Sequence, residues 1–148
     1  MMLINGGVQL FVGLIMLVML PINNAAASST RDHFNEMYRD CVTREGGYLN
    51  NGIIAMCTQE VIDAVLVRLE HRVEEMSQPR VFHGASEGFD EYDREQRALF
   101  QSGVEEYQRS ILQVCRYMGY HIGSPANPLC VMDMMVNLLA ILDDYDRK

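Results

Sequence analysis

Four cysteines in two close pairs place the tightest limit on what this chain can fold into. Cys41 and Cys57 bracket one short, turn-rich stretch, and Cys115 and Cys130 bracket another. In an oxidising compartment an even count reads as disulfides, and four cysteines permit three pairings. The favoured one joins Cys41 to Cys57 and Cys115 to Cys130. Each bridge then closes a loop of about 15 residues, worth on the order of 3 kcal/mol of chain entropy. No C-x-x-C and no Cys/His zinc spacing occurs, so neither a metal nor any other cofactor is expected.

The N-terminal residues supply the oxidising compartment. Val8 to Leu20 is an apolar run broken only by Gln9 and Gly13, followed by Pro21, Asn23 and Asn24 and then the small residues Ala25-Ala26-Ala27. That order reads as a signal peptide over residues 1–27, cleaved before Ser28. The run covers about 13 residues, short of the roughly 20 that cross a bilayer, and Met1–Gly7 lacks Lys and Arg. A retained anchor is the alternative, with membrane contact through this segment alone. No cysteine directly follows the cleavage point, so a lipid anchor is not expected. The expected location is periplasmic or secreted, and residues 28–148 are expected to form a single domain.

Every charged side chain lies beyond the apolar segment, and the formal charge is −8. Such acidity argues against a nucleic-acid partner and favours a neutral or basic one. Attraction to a basic protein would raise the on-rate without bearing on the fold.

The residues after the signal read as four helices, predicting an all-α, disulfide-stapled bundle. The first, from Thr30 as N-cap to Glu45, aligns Phe34, Met37, Tyr38 and Cys41 and ends at Gly46-Gly47. The second, Ile53 to Met76, follows a turn marked by Asn50-Asn51-Gly52. Its apolar stripe is Ile62, Val65, Leu66, Leu69, Val73 and Met76, opposite a polar face that includes Glu60, Arg68, Arg72 and Glu75. After a loop from Ser77 to Gly88, the third helix runs from Phe89 to Met118. Its expected buried stripe is Leu99, Phe100, Val104, Tyr107, Ile111, Val114 and Met118, with Gly103 marking close packing against a neighbour. Gly119 to Pro128 is expected to break the helix. The last helix, Leu129 to Tyr145, is apolar nearly all round, which predicts a central position.

No serine sits in a G-x-S-x-G elbow and all cysteines are assigned to bridges, so nucleophilic catalysis has no visible agent and no enzyme is expected. His71 and Glu75 read as an exposed i,i+4 pair, and His83 lies in the long loop. His121 shares the Cys115–Cys130 loop with Tyr117 and Tyr120. A loop held by a disulfide is presented and pre-organised, so these three residues are candidates for partner binding; the alternative is that both tyrosines pack on the bundle. Glu91 and Asp93, within the cluster Glu87, Asp90, Glu91, Asp93 and Glu95, are candidates for docking a cationic partner, or solvated charge at a helix start.

Gly52-Ile53-Ile54-Ala55-Met56-Cys57-Thr58, followed by Asp63 and Leu66, resembles the segment around a cysteine in LprI-like proteins, where a Cys-bearing helix start precedes a W-D-x-x-L-N pattern. The second half resembles the same family: a long helix ending in Cys115, a turn at Gly123-Ser124, and Cys130 opening a final helix. Ile62 and Val67 replace the Trp and Asn of the first pattern. Tyr107 and Ile111 replace the Trp and Arg of the W-x-x-Y-R-x-x-x-C motif that precedes the family's third cysteine. The resemblance spans Cys41 to Leu142. It implies a small secreted or periplasmic helical protein with two disulfides and no enzymatic activity, akin to the family's lysozyme inhibitor. An envelope assembly or immunity factor with one dedicated protein partner is the alternative.

Overall fold

The computed structural model describes residues 25–80 and 88–145; the apolar segment through Asn24, His83 and Glu87 lie outside them. Among the described residues there are four helices and no strand: α1 Ala25–Arg44, α2 Asn51–Met76, α3 Phe89–Ile122 and α4 Ala126–Tyr145. The all-α, disulfide-stapled bundle is therefore the fold.

α4 is the core. Val131, Met132, Met135, Val136, Leu138, Leu139, Ala140 and Leu142 are buried, and α4 packs against each of the other three helices. By length and composition alone it could cross a membrane; here half of that apolar window is covered by protein. Around it, α1 contributes Phe34 and Cys41, and α2 contributes Cys57, Val61, Ile62, Val65 and Leu69. Burying each Leu or Val of this set is worth about 1.5–3 kcal/mol.

Local chemistry sets the helix ends. Gly46 and Gly47 stop α1 with positive φ (103° and 75°), and the Gly47 N–H reaches back to Val42 O at 3.0 Å, a left-handed cap that a Cβ would strain. Asn50 then caps α2, its side chain accepting from the Ile53 N–H at 2.9 Å, so Asn51 and Gly52 belong to the first helical turn rather than to the turn before it. Thr30 is not an N-cap: α1 starts at Ala25, and Thr30 is buried, donating to Asp143 at 2.7 Å.

That contact belongs to a polar cluster uniting three helices. Asp143 accepts from Thr30 of α1 and from Arg68 of α2 at 3.0 Å, and lies 3.6 Å from Arg72 Nε. Arg72 also donates to Leu142 O and pairs with Glu75. Arg72, expected on the solvent face, is thus buried; its long stem crosses apolar surface while the guanidinium finds acceptors on α4. Leu66 moves the other way and is 38% exposed, because α3 barely touches α2 and leaves that side open.

The contacts of Thr30 with Asp143 and Arg31 with Asn137 make α1 antiparallel to α4. Thr30 and Arg68 meet at Asp143 while Cys41 is bridged to Cys57, so α2 is antiparallel to α1 and runs parallel to α4. Both disulfides consequently lie towards one end of the bundle and the Asp143 cluster towards the other. The expected pairing is present: Cys41–Cys57 with Cα atoms 5.6 Å apart, and Cys115–Cys130 with Cα atoms 5.4 Å apart.

α3 departs most from expectation. Only Val104, Ile111 and Cys115 are buried and Phe100 is half-buried. Leu99 (64% exposed), Tyr107, Val114 and Met118 face solvent. A Cβ built on Gly103 would meet nothing within 4 Å, so this glycine marks an open surface rather than close packing. The apolar residues of α3 fall on two adjacent stripes, and α4 covers one.

Truncating Asp143 to Ala removes the acceptor that Thr30, Arg68 and Arg72 share and is expected to cost about 3 kcal/mol. Glu60→Ala, which breaks the exposed pair with Arg44, is expected to cost under about 1 kcal/mol. Urea denaturation of the two variants against wild type checks the contrast, and equal losses would contradict the role given to Asp143.

Candidate functional site

The corner between α3 and α4 is shaped by three local constraints. Gly119 lets α4 approach: a Cβ there would lie 2.7 Å from the Asn127 Cβ. Gly123 (φ 100°) closes α3, its N–H donating to Gly119 O at 2.9 Å, while its carbonyl accepts from the Ala126 N–H at 3.0 Å. The Cys115–Cys130 bridge clamps the two helices one turn further in, with the Met134 sulfur 3.8 and 4.0 Å from the two cysteine sulfurs. The expected break over Gly119 to Pro128 therefore shrinks to Gly123-Ser124-Pro125. α3 continues to Ile122 and α4 starts at Ala126, carrying Pro128 within its first turn, where a proline's missing N–H removes no helical bond.

The longer α3 carries Tyr117, Tyr120 and His121 on regular helix. The tyrosines do not pack on the bundle: Tyr117 is 62% and Tyr120 84% exposed. The Tyr117 and His121 rings stack, 5.8 Å apart and 8° from parallel, and Tyr120 lies 6.5 Å from Tyr117. Ile122, which sequence reasoning did not single out, is 64% exposed on another side of the same last turn. Its position next to Gly123 was the available signal, since the last apolar residue before a helix stop often lacks a facing helix.

Glu91 and Asp93 lie elsewhere. They occupy the first turns of α3, about 40 Å from Tyr117 at a rise of about 1.5 Å per residue, so the acidic and aromatic candidates do not form one site. Both acids have cationic neighbours: Glu91 pairs with Arg94 at 3.4 Å, and Asp93 with Arg97 at 2.9 Å. Arg97 in turn donates to Ser77 O, tying the start of α3 to the end of α2. A groove of about 410 Å³ opens there, lined in part by Met76, Phe89, Tyr92 and Phe100.

Among the described residues, no three His, Cys, Asp or Glu side chains converge as a metal site, and every cysteine is bridged. His71 and Glu75 form an exposed pair, 3.8 Å apart. Among the described residues, burial raises the Tyr38 hydroxyl and the Asp133 carboxyl above their ordinary values. Asp133 was passed over in the sequence, although it is the one charge between Cys130 and Leu142. It faces outward from α4, yet surrounding protein removes enough water from its carboxyl to disfavour the anion. Compared with protein-family models, curated proteins and solved structures, the chain matches none.

The raised value fixes the sign of a pH effect. An acid whose folded pKa exceeds its unfolded one helps stability below the unfolded value and loses that help as pH rises through the folded value. Asp133→Asn is therefore expected to raise the melting temperature at pH 7, with the gain disappearing below the ordinary value of 3.8. Melting curves at neutral and acid pH check it; an unchanged or lowered value at pH 7 would contradict the assignment.

Proposed function

We propose that this is an exported, non-enzymatic binding protein whose α3–α4 corner engages a basic protein, with lysozyme as the partner class that the LprI resemblance implies. One observation carries the reading: Tyr117, Tyr120 and His121 are exposed together on a corner that a disulfide and a glycine contact hold still. Tyrosine supplies large, amphipathic contact area with few rotors to freeze, and a fixed backbone lowers the ordering cost of binding. The two disulfides suit an oxidising, exported location.

Electrostatics act here at long range. The corner itself is nearly uncharged, while the whole chain carries −8, so attraction to a cationic lysozyme steers the encounter and the aromatics supply the contact. Glu91 and Asp93 contribute to the overall field rather than to the contact.

Purified disulfide-bonded protein is expected to inhibit a basic c-type lysozyme at low ionic strength. Inhibition is expected to weaken as salt shortens the screening length to about 8 Å at 0.15 M. Tyr117→Ala and Tyr120→Ala are each expected to weaken inhibition by about tenfold or more, the scale of an aromatic anchor. Glu91→Gln is expected to change it less than about threefold, as a remote charge does. Absence of inhibition at low salt removes the lysozyme reading.

A further inference from the structure

α2 and α3 both turn their buried residues towards α4 and leave a groove between themselves that the bundle does not fill. It consists of two adjoining hollows of about 500 and 470 Å³ that share Glu70, Val73 and Gln101. Leu69 and Val104 are buried at its floor, Val73 is half-buried, and Leu66 is 38% exposed. Along α2 the lining runs from Leu66 to Gln78, about 18 Å or three helical turns. Arg97 closes one end, donating to Ser77 O at 3.4 Å while paired with Asp93.

The walls above that floor are acidic. Glu70 and Glu74 stand exposed on the α2 side and Glu105 on the α3 side, and the described lining includes no Lys, Arg or His. Among the described residues none of the three makes an ion pair, although Arg109 follows Glu105 by one turn. Glu60, Glu75, Glu91 and Asp93, by contrast, each pair with an arginine of their own chain. Glu70 and Glu74 are also like charges at i,i+4, which repel across one turn. An apolar floor between carboxylate walls complements a helix whose apolar stripe is flanked by basic residues.

We propose that this groove binds a cationic amphipathic peptide in helical form. The peptide's apolar stripe covers Leu66, Val73 and the floor between them. Lys or Arg on its flanks meets Glu70 and Glu74 on one side and Glu105 on the other. Other occupants fit less well. A second copy brings a charge of −8 against acidic walls, and the chain's own apolar run, Val8 to Leu20, has no Lys or Arg to offer them. The groove shares no residue with Tyr117, Tyr120 and His121, so the inference stands apart from the lysozyme reading.

Fluorescence anisotropy tests it, with the purified disulfide-bonded protein titrated into a labelled peptide of about 14 residues. The peptide carries Leu on one helical face and Lys on both flanks. Binding is expected at low ionic strength, weakening by about fivefold or more at 0.15 M salt. A scrambled peptide of the same composition, its apolar face broken, is expected to bind at least about tenfold more weakly. Glu70→Gln combined with Glu105→Gln is expected to weaken binding about tenfold. Leu66→Asn is expected to weaken it about fivefold. Helical circular dichroism is expected to stay unchanged in these variants, and Tyr120→Ala to leave peptide binding as it is. No binding at low salt, equal binding of the scrambled peptide, or a double variant that binds like wild type would each overturn the proposal. So would a neutral peptide of the same apolar face that binds as tightly, or a wild-type dimer that Leu66→Asn disperses, since each gives the groove another occupant.

Discussion

A helix with apolar side chains on nearly all sides cannot sit at the edge of a small protein in water, and that constraint on α4 organises everything else. Eight of its positions are buried, so it must be covered from several directions. α1, α2 and α3 each cover part of it, while touching one another less. Near its end, Asp143 is satisfied by groups from two of those neighbours, Thr30 and Arg68. The polar cluster thereby sets the direction and rotation of α1 and α2, which dispersion and hydrophobic contact leave loosely specified. Whether replacing the whole cluster by hydrocarbon would stabilise the fold is a separate matter from the cost of breaking it.

What the chain reveals before folding follows from how local each signal is. The cysteine pairing was legible because each bridge spans a single turn between consecutive helices, and the glycines at 46 and 47 marked the end of α1 directly. The centrality of α4 was legible because no exposed orientation would suit it. Arg72 was misplaced because charge alone suggests solvent; its acceptors lie on α4, 70 residues later in the chain. Thr30 was misplaced for the same reason, its acceptor being Asp143. α3 was misread because two stripes of apolar residues lie side by side, and periodicity cannot say which one a neighbour covers.

The binding candidates show the same division. Tyr117, Tyr120 and His121 remained together because they occupy adjacent turns of one helix, a local relation that survives folding. Glu91 and Asp93 were grouped with them on charge alone. A straight helix of 34 residues holds its two ends far apart whatever else the chain does. Their arginine neighbours at 94 and 97 were visible in the sequence and would have argued for local neutralisation.

Both covalent cross-links lie towards the same end of the molecule, and this gives the bundle a built-in polarity of motion. At the stapled end, α1 with α2 and α3 with α4 remain tethered even when packing loosens. At the opposite end, only side-chain contacts keep the start of α1 and the finish of α4 together. Thermal opening therefore resembles the spreading of tongs, with amide exchange entering from the free tips and arriving last at the hinge. The aromatic corner rides on that hinge, so it keeps its shape through fluctuations that expose much of the interior.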